Sequence, residues 1–239
     1  MLLLAALTAF VAAVIQRITG LGFMLVLIGP FVLLYGGIEG VTVGVLLALV
    51  AAAIAVPLVW REVDWRRTGW LIWPGLVAAP AGLLFVRLLP EPALLLTIGA
   101  LAVFALVAGR IPQLSRALTG RSGAVAAGAA AGFMNVASGL AGPPVAAHAV
   151  GDGWPQRSFS ASVQVIFTAF GVITVALRGL PTEPPIDVAL LAAATAVGIV
   201  AGSALTRVIP PLIARRAMLV IAWSGAALVI VRGAIALWV

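Results

Sequence analysis

Two glycine-rich interruptions inside apolar segments contain the residues best suited to chemistry. The first reads Gln16-Arg17-Ile18-Thr19-Gly20-Leu21-Gly22, and the second reads Ser138-Gly139-Leu140-Ala141-Gly142-Pro143-Pro144. A helix broken inside a membrane leaves backbone N–H groups without partners at the start of its second part, and that end carries partial positive charge. Two such ends meeting near the membrane midplane would attract an anion. The two interruptions are therefore the candidate substrate site.

Each interruption offers a way to begin a second helix. Thr19 and Gly20 could cap a half-helix that continues through Phe23, and Pro143 or Pro144 suits the first turn of a helix that runs to Val150. The predicted substrate-binding set contains Gln16, Arg17, Thr19, Gly20, Gly22, Asn135, Ser138, Gly139, Gly142, Pro143, His148 and Gln164.

Arg17 is the charged member of this set. It lies in an apolar segment, where an uncompensated cation costs several kcal/mol, on the order of 3 by insertion scales. Two interpretations stay open. Arg17 either reaches an interface or caps neighbouring carbonyls, or it contacts an anionic ligand directly.

Neutral side chains could complete an anion site. Gln16, Asn135, Ser138 and Gln164 could orient the oxygens of a ligand, although polar residues between membrane helices also serve as packing contacts. His148, the lone histidine, could take up a proton during transport or could be structural.

The acidic residues favour an anion over a cation. All seven fall at links or at the ends of apolar segments, so no carboxylate is placed within a span to bind a cation. No catalytic residue, metal site or cofactor is predicted, and no phosphate-binding Gly-Lys-Ser/Thr sequence occurs.

The elements that must position these residues are membrane helices. Of 239 residues, 64% are hydrophobic and 9% are charged, which excludes a soluble domain. The length accommodates about 6 to 8 spans of roughly 20 residues each. The arginines are scattered between apolar segments, which argues against nucleic-acid binding. We therefore predict an all-α integral membrane protein in contact with lipid, and a homo-oligomer is compatible with this class.

An internal repeat divides the chain into two halves. Val77, Ala81-Gly82, Arg87 and Pro90 recur 120 positions later as Val197, Ala201-Gly202, Arg207 and Pro210. The predicted domains are a first transmembrane repeat over 1–112, a cytoplasmic linker over 113–122 and a second repeat over 123–239. Each half begins with a broken segment followed by three transmembrane helices.

The placement of arginines favours one arrangement of the broken segments. If both turn back within the membrane, ten arginines share one side, and Arg87, Arg178 and Arg232 lie on the other. If both cross, the division is eight against five, because the side of Arg61 gains Arg178 and Arg232 and loses Arg157, Arg207, Arg215 and Arg216. Cytoplasmic loops carry the excess of basic residues, so we favour re-entrant segments, inverted repeats and a cytoplasmic linker.

The chain resembles the sulfite exporter TauE/SafE family through Thr19-Gly20-Leu21-Gly22, the second interruption with Gly142-Pro143-Pro144, the two-half arrangement and the length. The first interruption departs from the family's more glycine-rich run at Phe23 and Met24. The resemblance implies movement of sulfite or small organosulfonates across the cytoplasmic (inner) cell membrane. The direction, export, rests on the resemblance alone.

We therefore predict a secondary transporter of small anions that works by alternating access, and not an enzyme. Two alternatives stay open. One is an intramembrane serine hydrolase that uses Ser138 as nucleophile and His148 as base. The other is a structural subunit of a membrane complex that transports nothing by itself.

Overall fold

The computed structural model describes residues 1–20, 22–206 and 208–238, and within these ranges the chain is helical and contains no strand. Leu21 of the first interruption and Arg207 of the internal repeat lie outside the described residues. The helices are α1 (Leu2–Thr19), α2 (Phe23–Tyr35), α3 (Gly37–Val59), α4 (Trp65–Leu88), α5 (Glu91–Ala108), α6 (Pro112–Ala117), α7 (Gly120–Ser138), α8 (Gly142–Gly151), α9 (Gln156–Arg178), α10 (Pro185–Leu205) and α11 (Pro211–Ile235).

Seven of these helices are long and apolar enough to cross a membrane: α1, α3, α4, α5, α9, α10 and α11. Only 28% to 44% of their apolar windows is buried inside the protein, so most of their surface is available to lipid. The prediction of an all-α, multi-pass protein is confirmed. Helix α7 is as long as α1 but is rich in glycine and alanine, and more than half of its residues are buried. It faces protein more than lipid.

Both interruptions separate a long helix from a short one. Gly20 and Gly139 adopt the left-handed conformation, with φ of 80° and 74°, which residues with a Cβ rarely adopt. Their N–H groups donate to the carbonyls of Gln16 (2.7 Å) and Asn135 (2.8 Å), which ends α1 and α7. The first helices have 18 and 19 residues and the second 13 and 10, so only the second member of each pair is a short helix.

The most extensive helix pairings connect the two halves of the chain, α4 with α7 and α1 with α10. In the first pairing, Gly128 lies against the Leu71 carbonyl and Gly132 against the Gly75 carbonyl. Because the contacts advance in the same direction along both helices, α4 and α7 are parallel. Because glycine has no side chain, the backbones of the two helices can approach closely, as is common in membrane helix pairs.

The α1–α10 pairing is also parallel and repeats a contact of the α4–α7 pairing. Gly82 lies against Phe133 and Val136, and Gly202 lies against Val14 and Arg17. Gly202 is 120 positions after Gly82, while Phe133 and Val136 are each 119 positions after Val14 and Arg17. The same contact therefore occurs twice, with the two halves of the chain exchanged.

One end of the helix bundle collects ion pairs between distant segments, and we call it the arginine-rich end. Arg157 at the start of α9 pairs with Glu62 at 2.6 Å. Asp152, which follows α8, accepts a hydrogen bond from the Gly120 N–H at 2.8 Å and lies 3.8 Å from Arg67. The starts of α4, α7 and α9 and the end of α8 thus lie together.

The opposite end is held by two arginines that donate to backbone carbonyls. Arg178, at the end of α9, donates to the carbonyls of Ile38 (2.8 Å) and Val136 (2.7 Å) and to the Thr42 hydroxyl (3.0 Å). Arg232 of α11 donates to the Leu33 carbonyl at 2.9 Å, in the last turn of α2. Since α3 is 23 residues long, its start at Ile38 is far from Glu62, and these contacts mark the other end of the bundle.

Candidate functional site

A cavity of about 410 Å³ lies between the two interruptions, which we call the breaks (residues 20–22 and 139–141). Its walls come from the ends of α1, α5 and α7, the starts of α2, α8 and α11, and parts of α3, α6 and α9. Seven of the twelve predicted site residues line it: Gln16, Thr19, Gly22, Asn135, Gly139, Gly142 and Pro143. The structure therefore brings the two interruptions, more than a hundred residues apart in sequence, around one space.

The start of α2 presents backbone donors to this cavity. Gly22, Phe23, Met24 and Leu25 all line it, and Gly22 is the N-cap residue. The first hydrogen bond within the helix runs from the Val26 N–H to the Gly22 carbonyl (3.1 Å), and no side chain in the described part of the chain caps this end. The N–H groups of the first turn are therefore left for a ligand or water.

The predicted cap at the first break was wrong. Thr19 is the last residue of α1, and its hydroxyl donates to the Ile15 carbonyl at 2.8 Å in that helix. Gly22, and not Thr19 or Gly20, precedes α2. The chain needs three residues between the helices to change direction, which moves the cap beyond Thr19.

The start of α8 is poorer in donors than the start of α2. Ala141 is its N-cap residue, Gly142 its first residue, and no side chain caps it. Pro143 and Pro144 occupy the first turn, as predicted, but proline has no N–H. Both helices direct positively polarised ends at the cavity, and α2 supplies more of the hydrogen-bond donors.

Two buried amides, Gln16 and Asn135, add polar groups to the lining. Only 7% of Gln16 is exposed, and none of the described residues is hydrogen-bonded to its Oε1. Asn135 is equally buried, and its Nδ2 donates to the Phe170 carbonyl (3.0 Å) and the Thr174 hydroxyl (2.8 Å) of α9. Apolar side chains such as Phe23, Leu49 and Phe167 complete much of the wall.

Arg215 is the one charged residue among the described residues that line the cavity. It lies in the first turns of α11 and is exposed. Arg232, near the other end of this 25-residue helix, lies at the opposite end of the bundle, so Arg215 lies towards the arginine-rich end, where Ser115 also lines the cavity. Ser115 contacts Gly151 at the end of α8, so this part of the cavity lies towards the arginine-rich end. Arg215 is absent from the predicted substrate-binding set, because only the packing of α11 places it in this lining.

Five predicted site residues lie outside the cavity lining: Arg17, Gly20, Ser138, His148 and Gln164. Arg17 is exposed, and its Nε donates to the Ser203 hydroxyl of α10 at 2.8 Å. Gly20 lies near Ser160 of α9. Gln164 is buried, and its Oε1 has no hydrogen-bond partner.

Ser138 and His148 each have a partner of their own. The Ser138 hydroxyl is fully buried and donates to the Met134 carbonyl at 3.0 Å. His148 Nδ1 lies 2.7 Å from the Leu118 carbonyl, which connects α8 to the segment before α7. Neither residue is hydrogen-bonded to the other, so the geometry offers no nucleophile–base pair here.

A family model for the sulfite exporter TauE/SafE matches residues 5–228. The chain belongs to this family. The TauE/SafE match includes both breaks and all of the residues that line the cavity. No curated protein and no solved structure matches the chain.

TauE/SafE membership and the seven apolar helices together make this a multi-pass membrane protein of a transporter family. The resemblance read from the two interruptions is confirmed over nearly the whole chain. The family is one of transporters for sulfur anions, so the cavity between the breaks is the candidate anion site. The serine hydrolase alternative is not favoured by any contact described above.

Proposed function

We propose that this protein is a secondary transporter that binds a small sulfur oxyanion, sulfite or an organosulfonate, in the cavity between its two breaks. It exports this anion across the cytoplasmic membrane by alternating access. The observation that carries the proposal is the meeting of two helix starts without side-chain caps, those of α2 and α8, at one cavity.

The electrostatics of the cavity favour an anion. Helix starts carry roughly half a positive charge each, and the effect is stronger away from bulk water. Arg215 adds a full positive charge, and none of the described lining residues is acidic. A cation at this position would meet positive potential from each of these sources.

Contacts at the arginine-rich end support a re-entrant second segment. Helix α7 starts at Gly120, whose N–H donates to Asp152 at the end of α8, so the chain returns to the end from which it entered. The Arg157–Glu62 ion pair supports the same arrangement. A crossing arrangement would separate Arg157 from the side of Arg61.

Contacts at the opposite end support a re-entrant first segment and inverted repeats. Helix α1 runs parallel to α10. Thr182, three residues before α10, donates its N–H to Glu39 near the start of α3 (2.6 Å). Helix α2 ends beside Arg232 at this same end. The first pair of helices thus enters from the end opposite to that used by α7 and α8, as inverted repeats require.

The shape of the cavity supports an inward-facing state. It extends towards the arginine-rich end, which the excess of basic residues assigns to the cytoplasm. The contacts of Arg178 and Arg232 hold the helices together at the opposite end. Rocking of one half against the other would open those contacts and release the anion outside.

The test is a flux assay with purified protein in liposomes. Vesicles loaded with sulfite, methanesulfonate, sulfate or acetate are compared with vesicles loaded with choline, and with protein-free vesicles. We expect sulfite or methanesulfonate to move, choline to be retained, and unlabelled anion on the far side to accelerate exchange. Movement of choline at the same rate, or of no anion at all, contradicts the proposal.

A further inference from the structure

The orientation of the Asn135 amide is set by its neighbours on α9. A carbonyl can only accept a hydrogen bond, so the atom that contacts the Phe170 carbonyl at 3.0 Å must be the amide nitrogen. The second amide hydrogen goes to the Thr174 hydroxyl. Both donors of Asn135 are therefore used within the protein, and Oδ1, a pure acceptor, is the remaining polar atom of its side chain.

No donor from the described part of the chain reaches Asn135 Oδ1. Only 7% of Asn135 is exposed, and this residue lines the cavity. Gln16 lines the same cavity, and its Oε1 likewise lacks a partner. The cavity thus combines backbone donors at the start of α2 with acceptor oxygens on two amides.

We infer that the substrate is an anion that also carries a hydrogen-bond donor, such as a protonated oxyanion or a sulfonate with a hydroxyl or amino group. Its negative oxygens accept from the N–H groups at the start of α2, and its donor group binds Asn135 Oδ1. This inference rests on the proposed function, because it concerns the substrate of the same cavity.

The physical reason is that an anion without a donor leaves a buried acceptor of the protein unpaired, which weakens its binding. An anion whose polar atoms are all acceptors brings its negative oxygens to the same cavity as Asn135 Oδ1 and leaves that oxygen without a partner. Sites built to hydrogen-bond a substrate hydroxyl or amine reject the analogue that lacks it far more strongly than an apolar pocket rejects a changed methylene. We expect a preference of about 10-fold to 100-fold for the donor-bearing anion.

The experiment compares two sulfonates of nearly equal size and equal charge, 2-hydroxyethanesulfonate and 1-propanesulfonate, in which a methyl group replaces the hydroxyl. Their dissociation constants are measured by titration calorimetry on purified wild-type protein in lipid nanodiscs, and on two variants. Asn135→Leu removes the acceptor. Thr174→Val removes one partner of the Asn135 nitrogen and leaves Oδ1 in place.

We expect wild type and Thr174→Val to prefer the hydroxysulfonate, and Asn135→Leu to bind both sulfonates alike. Equal binding of the two sulfonates by wild type overturns the inference and leaves the anion site standing. A preference that persists unchanged in Asn135→Leu also overturns it. Sulfite is titrated on wild type as well, and binding of neither sulfonate nor sulfite contradicts the proposed function itself. The wild-type and Thr174→Val measurements decide the matter even if Asn135→Leu does not fold.

Discussion

Gln16 and Asn135 hold equivalent places at the ends of α1 and α7. Each carbonyl accepts a hydrogen bond from the left-handed glycine four residues later, and each residue lines the same cavity. They differ in how the amide is held: the Asn135 nitrogen donates to α9, whereas no hydrogen bond from the described residues holds the Gln16 amide. A ligand can therefore bind either amide oxygen without breaking a hydrogen bond, but only the Asn135 amide already has its orientation fixed by the protein.

Replacing Gln16 should weaken anion binding. Gln16→Leu nearly keeps the volume but removes a buried polar group from the cavity lining, so we expect the dissociation constant of the transported anion to rise about tenfold. Gln164→Leu is the matched control, because Gln164 is also a buried amide with an unpartnered oxygen but does not line the cavity. Equal effects of the two substitutions in a titration would remove Gln16 from the site.

Arg215 should attract the anion towards the cavity from the arginine-rich end. Because its side chain is exposed, we expect Arg215→Gln to lower the initial rate of anion flux only about two- to fivefold, with the difference fading at high salt. Arg216→Gln makes the same charge change at a neighbouring exposed residue outside the lining. Arg17→Gln, which removes a contact with Ser203, should also leave flux near the wild-type rate.

The absence of cysteine from the sequence allows a direct test of the re-entrant arrangement. Single cysteines at Gln113, Gln156 and Leu180 replace exposed residues. In intact cells, a membrane-impermeant maleimide should label Leu180→Cys, and it should label the other two variants only after permeabilisation. Opposite accessibility of Gln113→Cys and Gln156→Cys would show that the segment between them crosses the membrane.

The α4–α7 pairing should be sensitive to a single methyl group. A Cβ at Gly132 would clash with the Gly75 carbonyl, so we expect Gly132→Ala to lower the free energy of unfolding by about 1–3 kcal/mol. Gly69→Ala is the control, since a Cβ there meets nothing within 4 Å. Thermal unfolding of both variants in detergent measures the difference. An unchanged midpoint for Gly132→Ala would mean that the two helices separate easily.

The helices and the two breaks could be predicted because their signals are local. Long apolar runs mark spans, and Gly20 and Gly139 mark the ends of α1 and α7. The N-cap of α2 was predicted at Thr19 or Gly20 and lies at Gly22, because residue types alone do not give the number of residues that the chain needs to turn. Nor do the residue types show that the two helices of each pair differ in length, with α7 running for 19 residues and α8 for 10.

Which arginine lines the cavity could not be predicted from the sequence. Both Arg17 and Arg215 flank or interrupt apolar segments, and only the packing of distant helices decides which of them lines the cavity. Helix α11 is apolar on most of its surface, so its sequence does not tell which side faces α2 and which faces lipid. Arg17 lies beside α10, whose place next to α1 depends on contacts between the two halves.

The cross-pairing of α1 with α10 and of α4 with α7 has a consequence for biosynthesis. When the ribosome has completed α5, both α1 and α4 still lack the helices that pack on them most extensively, α10 and α7. The early helices must therefore wait in the membrane, shielded by lipid or by the insertion machinery, until α7 and α10 emerge. The α4–α7 interface can form only after α7 is made, and the α1–α10 interface only after α10, so both of the largest helix contacts form in the second half of synthesis.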